Sequence, residues 1–411
     1  MWCGEKYRVY SLRMKFPFFR GDKKRVYLDY ASSTPIDPSV TRILTESFAV
    51  FYNPSSIHKE GVLARNKIEL ARSEAVRFID AQPDEIIFTG SGTESCVLAI
   101  RGVVEQARSV VGKPHVITSM IEHASVLETI KDLERRAVIR ATYLQPDHEG
   151  RISVDDIKES IQEDTVLISV MMVNNEVGTI EPIKDIGLLV RKHKNEKGYP
   201  LFHTDASQAV LYNEISVLKL HTDLLTLDGI KCRGPRGIGL LYVKRGIRLA
   251  PVLTGGGQEK GLRSGTENIS AICGFAHALT QAKQEREVET NRVEEVRAYA
   301  KIKIKNVIPN VVFNESKTHH SPHILSVCFP ACDAEFVVIS LDALGIAAAW
   351  GSACKSIHGD TSSYVLAAMG KDDCMQSSVR FSFGKETTKK DIDALCDALV
   401  ELVHRKVITT T

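Results

Sequence analysis

Lys231 lies in the run Thr226-Leu-Asp-Gly-Ile-Lys231-Cys-Arg-Gly-Pro-Arg-Gly-Ile-Gly-Leu-Leu-Tyr-Val243, between two apolar, strand-like stretches and just before a Gly-Pro turn. Upstream, Leu201-Phe-His-Thr-Asp205-Ala-Ser-Gln208 ends another apolar stretch on a carboxylate. An amine that can form a Schiff base, with a strand-end aspartate to hold a protonated ring nitrogen, is what pyridoxal 5′-phosphate (PLP) chemistry requires. Gln208, one helical turn beyond Asp205, can bond the phenolic oxygen of such a ring. The plainer use of Asp205 is as the cap of a following helix.

Four further groups have types and settings suited to the same chemistry. Gly90-Ser-Gly92-Thr93-Glu-Ser95 is a glycine turn opening a helix, where outward N–H groups and the helix dipole favour an anion. It lacks the spacing of a nucleotide P-loop. His123, in Ile121-Glu-His-Ala-Ser125, follows a strand and can stack on a planar ring or shuttle protons. Cys354 sits among small and polar residues in Gly351-Ser-Ala-Cys354-Lys-Ser-Ile-His358, a loop in which a thiol beside Lys355 can ionise and act as a nucleophile. Arg380 interrupts an apolar strand, Ser-Val-Arg380-Phe-Ser-Phe; a buried arginine needs an anion, and a substrate carboxylate or a structural carboxylate would both serve.

The 411 residues are too many for one small core and predict two domains. Apolar content of 43% and charged content of 25% are those of a globular chain, and a net charge of +2 argues against direct nucleic-acid binding. No apolar run approaches the roughly 20 residues that span a bilayer. The nine cysteines are irregularly spaced, which predicts reduced, mostly buried thiols and a cytoplasmic setting. Cys328 and Cys332 have no matching second pair, so no metal site is expected. Met1–Lys24 is basic and reads as a poorly ordered extension, with Met14 a second candidate start.

The elements that must position these groups alternate. Short strands are expected at 26–29, 86–88, 115–118, 141–144, 166–173, 201–204 and 224–227, with helices at 62–78, from 93, 125–134, 153–161 and 182–192. That order predicts an α/β architecture: a mostly parallel sheet with helices on both faces and ligands at the strand C-terminal ends. From about Ala271 the texture changes to a long charged helix over 271–305, strands at 325–329 and 379–383, and helices at 334–344 and 388–404. This is a smaller α+β unit. The expected division is a 1–24 extension, 25–39 as an N-terminal part of the small domain, 40–280 as the large cofactor-binding domain and 281–411 as the small domain bearing the Cys354 loop.

Taken in order, these runs resemble the cysteine desulfurases of the NifS/IscS type, in the class V branch of fold-type I PLP enzymes. The resemblance runs from about Val26 to Val403. It includes Leu28-Asp-Tyr-Ala-Ser-Ser-Thr-Pro35, Ser91-Gly-Thr-Glu-Ser95, Glu122-His-Ala-Ser-Val126, Val173-Asn-Asn-Glu-Val-Gly178, Asp205-Ala-Ser-Gln208, Arg263-Ser-Gly-Thr-Glu-Asn268, Gly351-Ser-Ala-Cys354 and Arg380-Phe-Ser-Phe-Gly384. It implies a fold-type I large domain with a seven-stranded sheet. Lys231 would carry PLP, His123 would stack on its ring, Asp205 would hold the ring nitrogen and Gln208 the phenolic oxygen. Gly92 and Thr93 would bind the phosphate, with Thr266 supplied to the neighbouring subunit's site in a homodimer. Asn175 would sit between the cofactor ring and the carboxylate of the substrate, L-cysteine, and Arg380 would clamp that carboxylate. Cys354 would take the sulfur as a persulfide and pass it to an iron–sulfur scaffold or another acceptor, such as one in tRNA thiolation. A selenocysteine lyase or other class V enzyme, and a weakened paralogue serving as a sulfur-transfer scaffold, are the alternatives.

The chain departs from the resemblance in two places. The pattern Ser-x-His-Lys before the cofactor lysine reads Asp228-Gly-Ile230-Lys231 here. The expected consequence is a like charge beside the phosphate and a missing donor, unless Arg233 compensates or Asp228 turns away from the phosphate. The loop after Cys354 is one residue longer than usual and lacks Leu-Glu-Pro, which bears on the choice of acceptor.

Overall fold

The structure, a computed structural model, describes residues 25–351 and 362–408; the 1–24 extension and Cys354 with its loop lie outside the described residues. The strands are β1 (Val26–Tyr27), β2 (Ile86–Thr89), β3 (His115–Ser119), β4 (Arg140–Leu144), β5 (Thr165–Ser169), β6 (Leu201–Asp205), β7 (Leu224–Asp228), β8 (Gly239–Val243), β9 (Val312–Phe313), β10 (Ile324–Cys328), β11 (Ile346–Ala347), β12 (Ala349–Trp350) and β13 (Ser378–Ser382). The helices are α1 (Pro38–Ser47), α2 (Lys59–Ile79), α3 (Gly92–Val111), α4 (Ala124–Arg135), α5 (Val154–Ser160), α6 (Ile183–Lys192), α7 (Val217–Leu220), α8 (Ile269–Val307), α9 (Ala334–Ala343), α10 (Tyr364–Ala368) and α11 (Lys389–His404).

Seven strands form one sheet in the order β2-β8-β7-β6-β5-β3-β4. The pairs from β7 to β4 are parallel, whereas β8 runs antiparallel to both β7 and β2. Two antiparallel steps cancel, so β2 points the same way as β7. Its C-terminal end shares one sheet edge with those of β3, β5, β6 and β7.

Side chains alternate across a strand, and this sheet buries both faces. Ile87, Val116, Leu167, Leu224 and Leu241 pack under α3 and α4. Their neighbours Ile86, Phe88, Ile117, Ile168, Leu225 and Leu240 pack against α2, α6 and the first half of α8. Helix α3 begins where Ser91 caps it by accepting the Glu94 N–H at 3.1 Å, and it buries Cys96, Ala99, Val103 and Ala107.

Helix α8 has 39 residues and serves two cores. Ile269 to Ala282 lie in the first, and Val293, Val296, Ala300 and Ile304 in a second with α9, α11 and the sheet β12-β13-β10-β9. The segment from Val26 to Leu28 belongs to this second core through Leu28 and through β1, which pairs in parallel with β11.

Two expectations are corrected. The apolar run 166–173 is not one strand: β5 ends at Ser169, and the chain beyond it leaves the sheet, with Val173 bridging Ile180. The cysteines are not all reduced: Cys328 of β10 and Cys374 form a disulfide. Their separation of 46 residues hides this pairing from any reading of spacing. Five other cysteines (96, 232, 273, 332 and 396) are free and buried. Among the described residues no helix is long and apolar enough to cross a membrane.

Candidate functional site

An open cavity lies at the sheet edge where β2, β3, β5, β6 and β7 end. It is lined by Gly92, Thr93, His123, Asn175, Asp205, Gln208, Asp228, Lys231 and Arg380. Nine of the positions singled out from the sequence are thereby brought together from six segments and both sheets. Thr266 is exposed and does not line this cavity. Cys354 lies outside the described residues.

Lys231 closes a short 3-10 turn after β7. Its Nζ donates to the backbone carbonyls of Ala31 at 2.7 Å and Ser32 at 2.8 Å. Burial, then the nearby Arg380 guanidinium, holds its pKa below the ordinary lysine value, against the opposing pull of Asp228, Asp205 and Asp29. A depressed lysine has more of the free-base form that attacks a carbonyl carbon.

Asp205 ends β6, with Oδ1 accepting the Ser207 N–H at 2.9 Å and Oδ2 accepting weakly from the Cys96 thiol at 3.6 Å. His123 is the N-cap of α4. Its Nδ1 accepts the Ser125 N–H at 3.2 Å, which leaves Nε2 to carry the proton of the neutral ring. Burial lowers its pKa, so the neutral ring prevails near pH 7.

Arg380 reaches in from β13 of the second sheet. Its Nη1 donates to the Asn175 carbonyl at 2.7 Å, and Nη2 to Asp29 Oδ1 at 2.9 Å and Ser32 Oγ at 2.7 Å. The buried arginine is thus held by a carboxylate of its own chain, while its Nε has no hydrogen-bond partner among the described residues. The buried Asn175 Oδ1 is likewise unpartnered. Two orphaned polar atoms, one donor and one acceptor, are what a bound polar ligand would satisfy.

Sequence reasoning missed two contributors. The 28–35 run supplies Asp29 and the two carbonyls that hold Lys231, although no role had been assigned to it. His323 supports Gln208 from behind: its Nε2 lies 3.2 Å from Gln208 Oε1, its Nδ1 2.8 Å from Ser321 Oγ, and its ring stacks on Tyr212 at 4.6 Å. Burial pushes its pKa down to about 3, so the ring is neutral and can donate to Gln208. Gln208 Nε2 in turn donates to the Ala31 carbonyl at 2.8 Å. Nothing in the sequence around Ser321-Pro-His323 signals this, because Gln208 and His323 meet only through the fold.

Arg233 does not compensate for Asp228, contrary to expectation. Its guanidinium pairs with Glu285 of α8 and lies 3.6 Å from Asp37, outside the cavity. Its backbone N–H is held by Thr34 Oγ1 at 2.8 Å, and its φ of 58° lies in the left-handed region, directing the side chain away from β7. Nor does Asp228 turn away: its carboxylate accepts the Gly92 N–H at 3.0 Å and the Ile230 N–H at 3.1 Å. Among the described residues no cluster of three or more His, Cys, Asp or Glu could hold a metal ion.

A PLP-shaped ligand fits the ring and amine ends of this cavity. Lys231, Asp205 and His123 converge there, and Asn175 and Arg380 offer unmatched polar atoms. At the other end, α3 presents a first turn whose N–H groups lack helical acceptors. The Gly92 N–H is taken by Asp228 and that of Glu94 by Ser91, which leaves the Thr93 N–H as the donor for a phosphate.

Residues 26–395 match the family described as aminotransferase class-V. The cysteine desulfurase IscS of Dictyoglomus turgidum is 38% identical over 387 residues, covering 93% of this chain and 95% of that protein. A solved NifS-like protein superposes with a TM-score of 0.86 at 31% identity, over 93% of this chain and all of that one. A solved structure of SspA in complex with cysteine superposes at 0.74 with 35% identity, over 88% of this chain and 99% of that one.

Proposed function

The chain belongs to the aminotransferase class-V family, and from that premise we propose that it acts as a PLP-dependent cysteine desulfurase, converting L-cysteine to L-alanine with sulfur transferred to Cys354. The observation that carries this reading is the convergence of Lys231, Asp205 and His123 on one cavity at the sheet edge. The cofactor is pyridoxal 5′-phosphate, which supplies an electron-accepting ring when bound.

The chain's own residues do the rest. Lys231 Nζ would anchor the cofactor and hold the proton taken from the substrate Cα. Asp205 keeps the ring nitrogen protonated, and the neutral His123 covers the ring face. Gln208, fixed by His323, aims its amide at the phenolic oxygen. Arg380, with Nε still to be satisfied, binds the substrate carboxylate alongside the Asn175 amide. The Cys354 thiolate attacks the substrate sulfur: one S–S bond forms, the Cβ–S bond breaks, and a proton completes the methyl group of alanine. Cysteine plus thiol thereby becomes alanine plus persulfide, with no outside oxidant.

We further assign the protein as a cytoplasmic homodimer that hands sulfur to an iron–sulfur scaffold or another acceptor. Phe48, Phe51, Ile57, Leu63 and Leu70 are exposed between the end of α1 and the middle of α2, and burial of such large apolar side chains against a second subunit supports this reading. Exposed Thr266 then serves the neighbouring subunit's phosphate site. Residues 40–280 form the large unit and 25–39 with 281–411 the small one. The strands of the seven-stranded sheet all fall within 86–243 and support that division.

The test is direct. After mixing with L-cysteine, the protein should release alanine and carry a cyanide-sensitive persulfide on Cys354, and Cys354→Ser should carry none. Alanine formed from selenocysteine but not from cysteine would favour a lyase. Failure to gain visible absorbance with added PLP would favour the scaffold reading, which the placement of Asp228 on the Gly92 amide motivates.

A further inference from the structure

The phosphate end of the cavity already contains an anion. Asp228 Oδ2 accepts the first N–H of α3 and Oδ1 that of Ile230. A Cβ built on Gly92 would lie 2.9 Å from Oδ2, so the carboxylate is pressed against the turn that opens the helix. It lines the cavity beside Thr93 and Lys231. The charged groups that act on it are Lys231, on the same turn, and Asp205 at the end of β6. Its field also reaches His123 at the cap of α4 and the buried Cys232 thiol. Burial holds its pKa above the ordinary carboxylate value. Arg233 is committed to Glu285, and Ile230 has no side-chain donor, so neither neutralises a second anion.

A phosphate that takes the Thr93 N–H must lie beside this carboxylate. Two anions in contact in a low-dielectric cavity cannot both stay fully charged, and the resolution is a shared proton. We propose that PLP binding to this chain is linked to uptake of one proton by Asp228, which then donates its carboxyl O–H to a phosphate oxygen. The proton comes from solvent, no covalent bond changes at Asp228, and the proposal rests on the assignment of PLP as cofactor. The carboxyl thereby takes over the donor role of an uncharged hydroxyl, but only in its protonated state.

The consequence is a cofactor affinity that falls as pH rises, between the pKa of Asp228 in the free site and its higher value in the bound one. PLP binding is titrated from about pH 6 to about pH 9 by visible absorbance, in the wild type and in Asp228→Asn. The asparagine variant keeps an acceptor for Gly92 and a permanent N–H donor for the phosphate. The wild-type affinity should lose up to about tenfold more per pH unit than the variant's, the slope of one linked proton. Lys231, His123 and the phosphate titrate in both proteins, and the pyridoxal control shows how far the substitution alters the first two. Calorimetry in two buffers of different ionisation enthalpy should count about one more proton taken up by the wild type. Pyridoxal, which lacks the phosphate, should bind both proteins with the same pH profile. Asp228→Ser provides the same comparison if the asparagine variant does not fold. Equal slopes and proton counts for PLP, or an equal difference with pyridoxal, would overturn the proposal while leaving the cofactor assignment intact. Absence of visible absorbance in every protein would remove the cofactor assignment and this inference with it.

Discussion

Asp205 and Asp228 end neighbouring parallel strands, β6 and β7, and both line the same cavity. By position in the fold they are near equivalents; what each faces separates them. Asp205 has the Ser207 N–H and a weak thiol donor, and it faces the end of the cavity suited to a cationic ring nitrogen. Asp228 sits on the first N–H of α3, where the helix dipole would otherwise draw the ligand's own anion. The same side chain is therefore complementary at one end of the site and competitive at the other. A strand-end carboxylate gains its role from the sign of charge it meets, not from its topological address.

The strongest way to break this comparison is to remove the amine that shares the cavity with the two carboxylates. Lys231→Ala should abolish the visible absorbance of covalently held cofactor and slow alanine formation by on the order of 10³-fold or more, measured with PLP in excess. A coloured, active Lys231→Ala would show that neither aspartate flanks a working amine. Next in size, Asp205→Asn at saturating PLP should lower kcat on the order of 10²-fold, because an amide cannot hold the ring nitrogen protonated. Asp228→Asn should act in the opposite sense and tighten PLP binding. If both asparagine variants weaken the enzyme alike, the contrast between the two ends is lost. Arg380→Ala should raise KM for cysteine by about tenfold to a hundredfold, the loss of a charged hydrogen bond worth about 1.5–3 kcal/mol. An unchanged KM would mean that Arg380 serves only Asp29, Ser32 and the Asn175 carbonyl.

The smallest expected effect concerns the layer beneath Asp205. His203 bridges β5, β6 and β7 through Ser169 Oγ at 2.8 Å and Thr226 Oγ1 at 3.0 Å, and burial pushes its pKa down to about 4. Above about pH 6.5 the ring is neutral in both folded and unfolded chains and stability is indifferent to it. Below that the unfolded chain binds a proton that the folded chain refuses, so stability falls as the pH drops toward about 4. Urea unfolding at about pH 4.5 should therefore recover on the order of 1–3 kcal/mol of this acid-dependent loss in His203→Gln, measured against each protein's own value at neutral pH. An identical acid dependence in the two proteins would show that His203 is not the titrating group.

Much of the site could be read without coordinates because its chemistry is local. Lys231 after an apolar strand, Asp205 ending one, His123 just past one and the Gly92 turn opening a helix are each defined by near neighbours in the chain. The alternation of strands and helices then requires them to gather at one sheet edge. The tightly held positions were less legible. Ala31 and Ser32 hold Lys231 across nearly 200 residues, at sequence separations of 200 and 199. His323 fixes Gln208 at a separation of 115.

The amino-acid order alone therefore determined the kind of chemistry, the alternating architecture and most of the residues at the cavity, since strand, turn and cap preferences act over a few residues. Only the tertiary structure decided that Arg233 turns toward α8, that Cys328 meets Cys374 and that Asp228 settles on the Gly92 amide. Those outcomes depend on which distant groups packing brings within about 3 Å, the range over which hydrogen bonds act, and local sequence carries no record of that distance.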